Sequence, residues 1–203
     1  MIRFAGLLVC CVLILTLAGC GRYVVVQPQR TAVKNAITVE PSQAWNKINL
    51  QNEFGTSSHP VEMWTADGDQ LNMLLFFAGI ADGQTLLPPP RDTEKAKRLP
   101  AFRAAMSPNE AKDVVEATLG VLMSSALIET RNLRPAPFGG RDGYRFDFTL
   151  VGKDEVDRQG IAAGTVVDGK LYCIVFMGTR LYHFGLRQQE AEGIIQSVQF
   201  TAS

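Results

Sequence analysis

The stretch Tyr144-Arg145-Phe146-Asp147-Phe148-Thr149-Leu150-Val151 alternates apolar and polar side chains. Successive side chains of an extended chain point to opposite sides, so Tyr144, Phe146, Phe148 and Leu150 share one face and Arg145, Asp147 and Thr149 the other. This predicts a strand with one face on a core and the other open to water. Just upstream, Ile128 to Leu133 predicts a second strand, and Pro135-Ala136-Pro137-Phe138-Gly139-Gly140-Arg141-Asp142-Gly143 connects the two. If these strands pair, some of Glu129, Arg131, Arg145 and Asp147 project from one sheet face. Opposite charges across strands contribute roughly 0.2–1 kcal/mol per pair, so the face reads either as a solvated ion-pair surface or as a polar docking surface for a partner. The glycine-rich run 139–143 reads either as a turn or as an anion-binding nest with Arg141 as its charge partner.

The same logic extends in both directions. Gly160 to Val167 turns at Asp168-Gly169 and returns from Lys170 to Met177; Val61 to Thr65 turns through Ala66-Asp67-Gly68-Asp69 and returns from Gln70 to Ala78. Asp-Gly marks a tight hairpin turn in both. Between the hairpins, Ser107-Pro108-Asn109-Glu110 opens a helix: serine caps, proline suits the first turn and glutamate completes a capping box. Ala111, Val114, Val115, Leu119, Leu122, Met123 and Ala126 form its apolar stripe, opposite Lys112, Asp113 and Glu116. Arg187 to Val198 predicts a closing helix with Ala191, Ile194, Ile195 and Val198 inward. Ala36 to Val39 is a short strand, and Gln43 to Leu50, which holds Trp45, a short helical turn. Trp45 and Trp64 are either core or groove anchors. Residues 81–108 carry five prolines and a charged run, and read as a functional loop or as one wrapping the sheet.

Together these elements predict one α+β domain over residues 36–203, an antiparallel sheet of about six strands packed with helices. At Ile37 to Trp45, the hairpin ending Phe76-Phe77, Phe138 to Leu150 and Glu190 to Phe200, the pattern resembles the PsbP-like α/β sandwich superfamily. That resemblance implies an accessory or assembly factor without catalysis, and the superfamily includes small envelope lipoproteins. It transfers no partner-site residue to this chain.

The amino terminus decides location. Met1-Ile2-Arg3 carries one positive charge, and Phe4 to Ala18 carries none. As a helix that run rises about 22 Å, short of the roughly 30 Å hydrocarbon core, so residues 1–19 read as an export signal. The run Leu17-Ala18-Gly19-Cys20 resembles the bacterial lipobox. The resemblance implies diacylglycerol on the Cys20 thiol, cleavage before it and a mature protein anchored by acyl chains. Gly21, in place of aspartate, points to the outer membrane facing the periplasm in a Gram-negative host. Residues 20–35 show no helical stripe and read as a lipidated tether.

Composition excludes other classes. The chain has 203 residues, 46% of them hydrophobic, with 20 basic and 20 acidic side chains. That is a globular composition, and its zero net charge gives no electrostatic basis for binding nucleic acid. Once Cys10 and Cys11 leave with the signal and Cys20 is lipidated, only Cys173 remains, in an apolar run, so no intrachain disulfide forms. The two histidines, His59 and His183, sit in no metal-ligand spacing. Neither a nucleophile elbow nor a phosphate loop is present, and no cofactor or metal is implied. The reading is a lipid-anchored, non-enzymatic envelope protein that binds a protein partner or small ligand. The rival is an envelope hydrolase whose site assembles from loops, using His59, His183 and residues 81–108.

Overall fold

The computed structural model describes residues 21–54, 58–89, 99–125 and 127–201. The signal-peptide and Cys20 expectations lie outside the described residues. The main sheet has eight antiparallel strands in the order β1-β4-β5-β6-β10-β9-β8-β7. They are β1 (Tyr23–Val26), β4 (Trp45–Ile48), β5 (Val61–Thr65), β6 (Asn72–Ile80), β7 (Leu127–Phe138), β8 (Arg141–Val151), β9 (Asp157–Val167) and β10 (Lys170–Thr179). A second sheet of three strands orders β11 (Gln199–Phe200), β3 (Ile37–Val39) and β2 (Thr31–Val33). The helices are α1 (Leu50–Phe54), α2 (Pro108–Met123) and α3 (His183–Gln196). The mixed α/β class with a large antiparallel sheet is as expected, while the main sheet is larger than the six strands predicted.

Two apolar layers flank the main sheet. On one side α2 and the described residues 81–89 and 99–106 cover Met73, Leu75, Phe77, Phe146, Phe148 and Val175. On the other, α3 and the small sheet cover Trp64, Leu74, Phe76, Ile174 and Phe176. The central strands β6 and β10 are buried on both faces, which is why Met73 to Ala78 and Leu171 to Met177 read as runs dominated by apolar residues rather than alternations. β8 lies next to the edge and alternates because only its α2 face is fully covered.

Register between β8 and β9 matches large side chains to small ones. Tyr144 stands opposite Gly164, Phe146 opposite Ala162 and Phe148 opposite Gly160. Each ring gains room from a small partner, and a Cβ at Gly160 would fall within the ring of Phe148. These aromatic–small pairs fix the register, since a one-residue slip would turn the rings to the other face.

α2 begins at the predicted capping box: the Ser107 hydroxyl accepts from the Glu110 amide, and Glu110 reaches back to the Ser107 amide at 2.8 Å. Ala111, Val114, Val115 and Leu119 are buried along its stripe; Ala126 lies outside the described residues. In the 81–108 segment, Thr85 bridges Ala101, and Leu86, Leu87, Leu99 and Phe102 are buried in the α2-side core. Its described parts therefore wrap the sheet.

Four expectations are corrected. Residues 21–35 are not a simple tether: β1 pairs with β4 and β2 with β3, so the folded body begins at Tyr23 rather than at residue 36. Trp45 opens a strand, not a helical turn: β4 is paired on both sides, by β1 and β5, and three residues apart on an extended chain Trp45 and Ile48 enter opposite core layers. The 135–143 connection is mostly strand, with Phe138 opposite Arg141 across the two-residue turn Gly139-Gly140. Both turn glycines have positive φ, 56° and 75°, which a type I′ turn requires, and Phe200 fills the space a Cβ at Gly139 would need. Pro135 and Pro137 are tolerated because β7 is an edge strand, where nitrogens two residues apart can both face away from the neighbour. Finally, α3 begins at His183, four residues before the predicted start, and buries Phe184 as well as the predicted apolar positions.

Candidate functional site

The β7–β8 hairpin presents a polar face on the α3 side of the sheet. Ten register pairs join the strands, including Glu129 with Thr149, Arg131 with Asp147, Arg134 with Arg145 and Phe138 with Arg141. Directly opposed residues share a face, so Glu129, Arg131, Arg134, Arg145 and Asp147 line one side. Near the Gly139-Gly140 turn that side is closed by Phe138 against Phe200, with ring centroids 6.4 Å apart. Towards Leu127 it opens.

α3 forms one wall. Glu192 accepts two bonds from Arg145, at 3.1 and 2.6 Å, and this pairing raises the Arg145 pKa above its ordinary value. Both side chains remain about a fifth exposed, so the pair is worth roughly 1 kcal/mol. The buried Nε of Arg145 has no partner among the described residues. Next along β8, Asp147 accepts from Asn132 at 2.8 Å and lies 3.8 Å from Arg134. A bulge between Arg131 and Arg134, with Asn132 at φ 58°, turns these side chains towards Asp147.

Glu129, Arg131 and Arg141 are exposed and form no ion pair among the described residues. The structure thus brings together Glu129, Arg131, Arg145 and Asp147. Arg141 shares their face but stands four residues from Arg145, about 13 Å along the strand. Trp45 and Trp64 take the core alternative, with 1% and 0% of their surfaces exposed, and neither reaches this face. Arg134, Asn132 and Glu192 are members that sequence patterning misses. A bulge has no period, and Glu192 belongs to a helix whose facing strand is known only in three dimensions.

The histidines do not converge. His59 precedes Pro60, whose carbonyl accepts from Ala78 near the end of β6, whereas His183 bonds Thr179, which bonds Leu71 at the start of β6. The six residue steps from Asn72 to Ala78 correspond to about 20 Å of strand. Burial lowers the His59 pKa, opposed in part by the Thr85 backbone; that contact falls short of hydrogen-bond geometry, and neither ring nitrogen has a partner among the described residues. The hydrolase reading therefore loses its paired histidines. No group of three or more metal-ligating side chains occurs among the described residues. Cys173 is buried, which pushes its thiol up to about 12, so it stays protonated and inert.

A second concavity, of about 340 Å³, lies between the end of α2 and the β5–β6 turn. Met63, Met73, Leu122 and Met123 give it an apolar floor, and Arg22, Asp69, Lys153 and Asp154 a charged rim.

No protein-family model matches the chain, and no curated protein does. The chain is similar to the solution structure of cyanobacterial PsbP (CyanoP) from Synechocystis sp. PCC 6803, with 15% identity over 90% of this chain and 95% of that one, at a TM-score of 0.47. It is also similar to the crystal structure of LpqN, involved in cell envelope biogenesis of Mycobacterium tuberculosis, with 11% identity over 92% of this chain and 88% of that one, at a TM-score of 0.35.

Proposed function

We propose that this chain is a lipid-anchored, non-enzymatic protein of the bacterial envelope, with a PsbP-like sandwich domain that docks a protein partner through the open end of its β7–β8 face. The observation that carries the anchor is the run Leu17-Ala18-Gly19-Cys20 at the end of the uncharged stretch that begins at Phe4. No described helix is long and apolar enough to cross a membrane, and the proposed acyl chains make a spanning helix unnecessary. Gly21 favours the outer membrane, facing the periplasm, in a Gram-negative host.

Cys20→Ala should move the protein from the membrane to the soluble fraction and abolish labelling by palmitate. Normal membrane retention of that variant would argue strongly against the anchor.

The docking half rests on Glu129, Arg131 and the partly exposed Asp147, which sit on the β7–β8 hairpin beside α3. Arg131→Gln should leave the stability almost unchanged, within about 0.5 kcal/mol, because the side chain is exposed and the substitution puts no like charge opposite Asp147. In crosslinking pull-downs from native membranes the same variant should recover much less partner. Undiminished recovery would move the docking site elsewhere.

A further inference from the structure

Glu62 is a buried carboxylate with acceptor capacity to spare. Register places Lys47 opposite Trp64, and Glu62 stands two residues before Trp64 on β5, so the three side chains share the α3-side face. Glu62 is 7% exposed and accepts the Trp64 indole N–H at 2.7 Å. The Lys47 ammonium stops 3.8 Å away, beyond hydrogen-bond length. A carboxylate offers about four acceptor positions, and a buried one normally has them met. Among the described residues one hydrogen bond reaches Glu62.

The turn joining β2 to β3 brings a second lysine to the same place. The Val33 carbonyl accepts from the Ala36 amide at 3.0 Å, and Lys34 and Asn35 between them have φ 51° and 53°. Two positive φ values make the type I′ pattern, which asparagine and glycine favour. Lysine at the first of these positions carries the strain of a left-handed backbone, and such strain collects at functional sites. Lys34, Lys47 and Glu62 line one cavity of about 250 Å³, with Ile48, Leu50 and Val61 among its apolar walls. Burial pulls the Lys34 ammonium below its ordinary range, with Glu62 opposing the shift and Lys47 adding to it. The three charges therefore act on one another across the cavity.

We infer that this cavity binds a small zwitterion with an aliphatic side chain, of the α-amino acid class. The arrangement of charge selects it. A plain cation would meet two ammoniums, and a plain anion would lie against the Glu62 carboxylate. A zwitterion answers both signs. Its carboxylate bonds Lys34 and Lys47, its ammonium takes the remaining acceptor positions of Glu62, and its side chain lies on Ile48, Leu50 and Val61. The site belongs to the β1–β4–β5 end of the main sheet, whereas the proposed docking face is at the β8–β7 end. It depends neither on that face nor on the anchor.

Titration calorimetry on the full-length protein tests this with L-leucine, with isocaproate, which lacks the ammonium, and with isoamylamine, which lacks the carboxylate. Leucine should bind with one-to-one stoichiometry and at least tenfold more tightly than either analogue. Glu62→Gln keeps an acceptor for the Trp64 indole and should weaken leucine at least tenfold without weakening isocaproate. Lys47→Gln, at a side chain 40% exposed, should weaken leucine and isocaproate together, and it serves if Glu62→Gln does not fold. Lys34→Asn should weaken leucine at least tenfold while the unfolding midpoint of the ligand-free protein holds or rises, because asparagine suits the turn. No heat from leucine in folded wild-type protein would mean that water alone fills the cavity, and would overturn the site. Isocaproate binding as tightly as leucine would overturn the zwitterion. Leucine binding undiminished by all three substitutions would place it elsewhere and overturn the assignment, as would a fall in the Lys34→Asn midpoint, which makes that lysine structural. Each of these failures leaves the anchor and the docking face untouched.

Discussion

Trp64→Ala is expected to destabilise the domain by about 4 kcal/mol, measured by urea denaturation. Its indole is fully buried, and its ring lies 4.5 Å from that of Phe76. Removal leaves a cavity in the α3-side core and strands a polar group. Glu62 is only 7% exposed and accepts the indole N–H at 2.7 Å, with Lys47 further off at 3.8 Å. Trp64→Phe separates the two effects, since it keeps most of the ring but leaves the buried carboxylate short of a donor, a loss of about 1–3 kcal/mol. Trp45→Phe is the internal control: its indole N–H has no acceptor among the described residues, so only packing changes. Against a typical total of about 5–15 kcal/mol, the alanine variant at Trp64 should show low yield and a much reduced midpoint. A near-native midpoint would mean that the indole does not carry this core.

Arg158→Met should cost about 2–3 kcal/mol. This guanidinium is 2% exposed and bonded through both terminal nitrogens: two bonds to Asp154 at 2.9 and 2.6 Å, one to the Gln70 carbonyl at 3.0 Å and one to that of Val156 at 3.2 Å. Methionine retains much of the volume, so the loss reports the bonds that pin the β8–β9 loop to the β5–β6 turn. Breaking a buried pair costs about 3–5 kcal/mol. Asp154 is 38% exposed and rehydrates when freed, which places this variant lower. The pH dependence carries a sign. Arg158 holds the Asp154 carboxyl down to about 2, below the ordinary value of about 3.9. A depressed carboxylate pKa gives stability that is present above the unfolded value and lost as pH falls through the folded one. The gap between wild type and Arg158→Met should therefore be constant above pH ~5 and narrow towards pH ~2. A gap that stays constant to pH ~2 would place the stabilisation in the carbonyl bonds alone.

Legibility in the sequence followed locality. The Ser107 capping box, the stripe of α2 and the alternation of β8 depend on neighbours within a turn or two, so residue types announce them. β1 and β2 were unreadable as strands because Tyr23-Val24-Val25-Val26 has no alternation. Val24 and Val25 stay exposed on an edge, and only Val26 is buried. Phe138 and Arg141 looked like parts of a loop because prolines and glycines mark loops, until the edge position of β7 makes the prolines harmless. Of the candidate surface, the pairing of β7 with β8 was foreseeable from alternation. The burial of both tryptophans was not, because an indole suits a core and a binding groove equally well.

By itself the sequence determined the amphipathic periods, the tight turn at Asp168-Gly169 and the hairpin around Asp67-Gly68, though that connection runs over six residues, 66–71, and is not tight; each signal is written in adjacent side chains. The tertiary structure alone decided the order of the eight strands, the partnership of Arg145 with Glu192 and Arg158 with Gln70, and the separation of His59 from His183. Those depend on which segments meet across the sheet, and free energy summed over the whole core settles that choice.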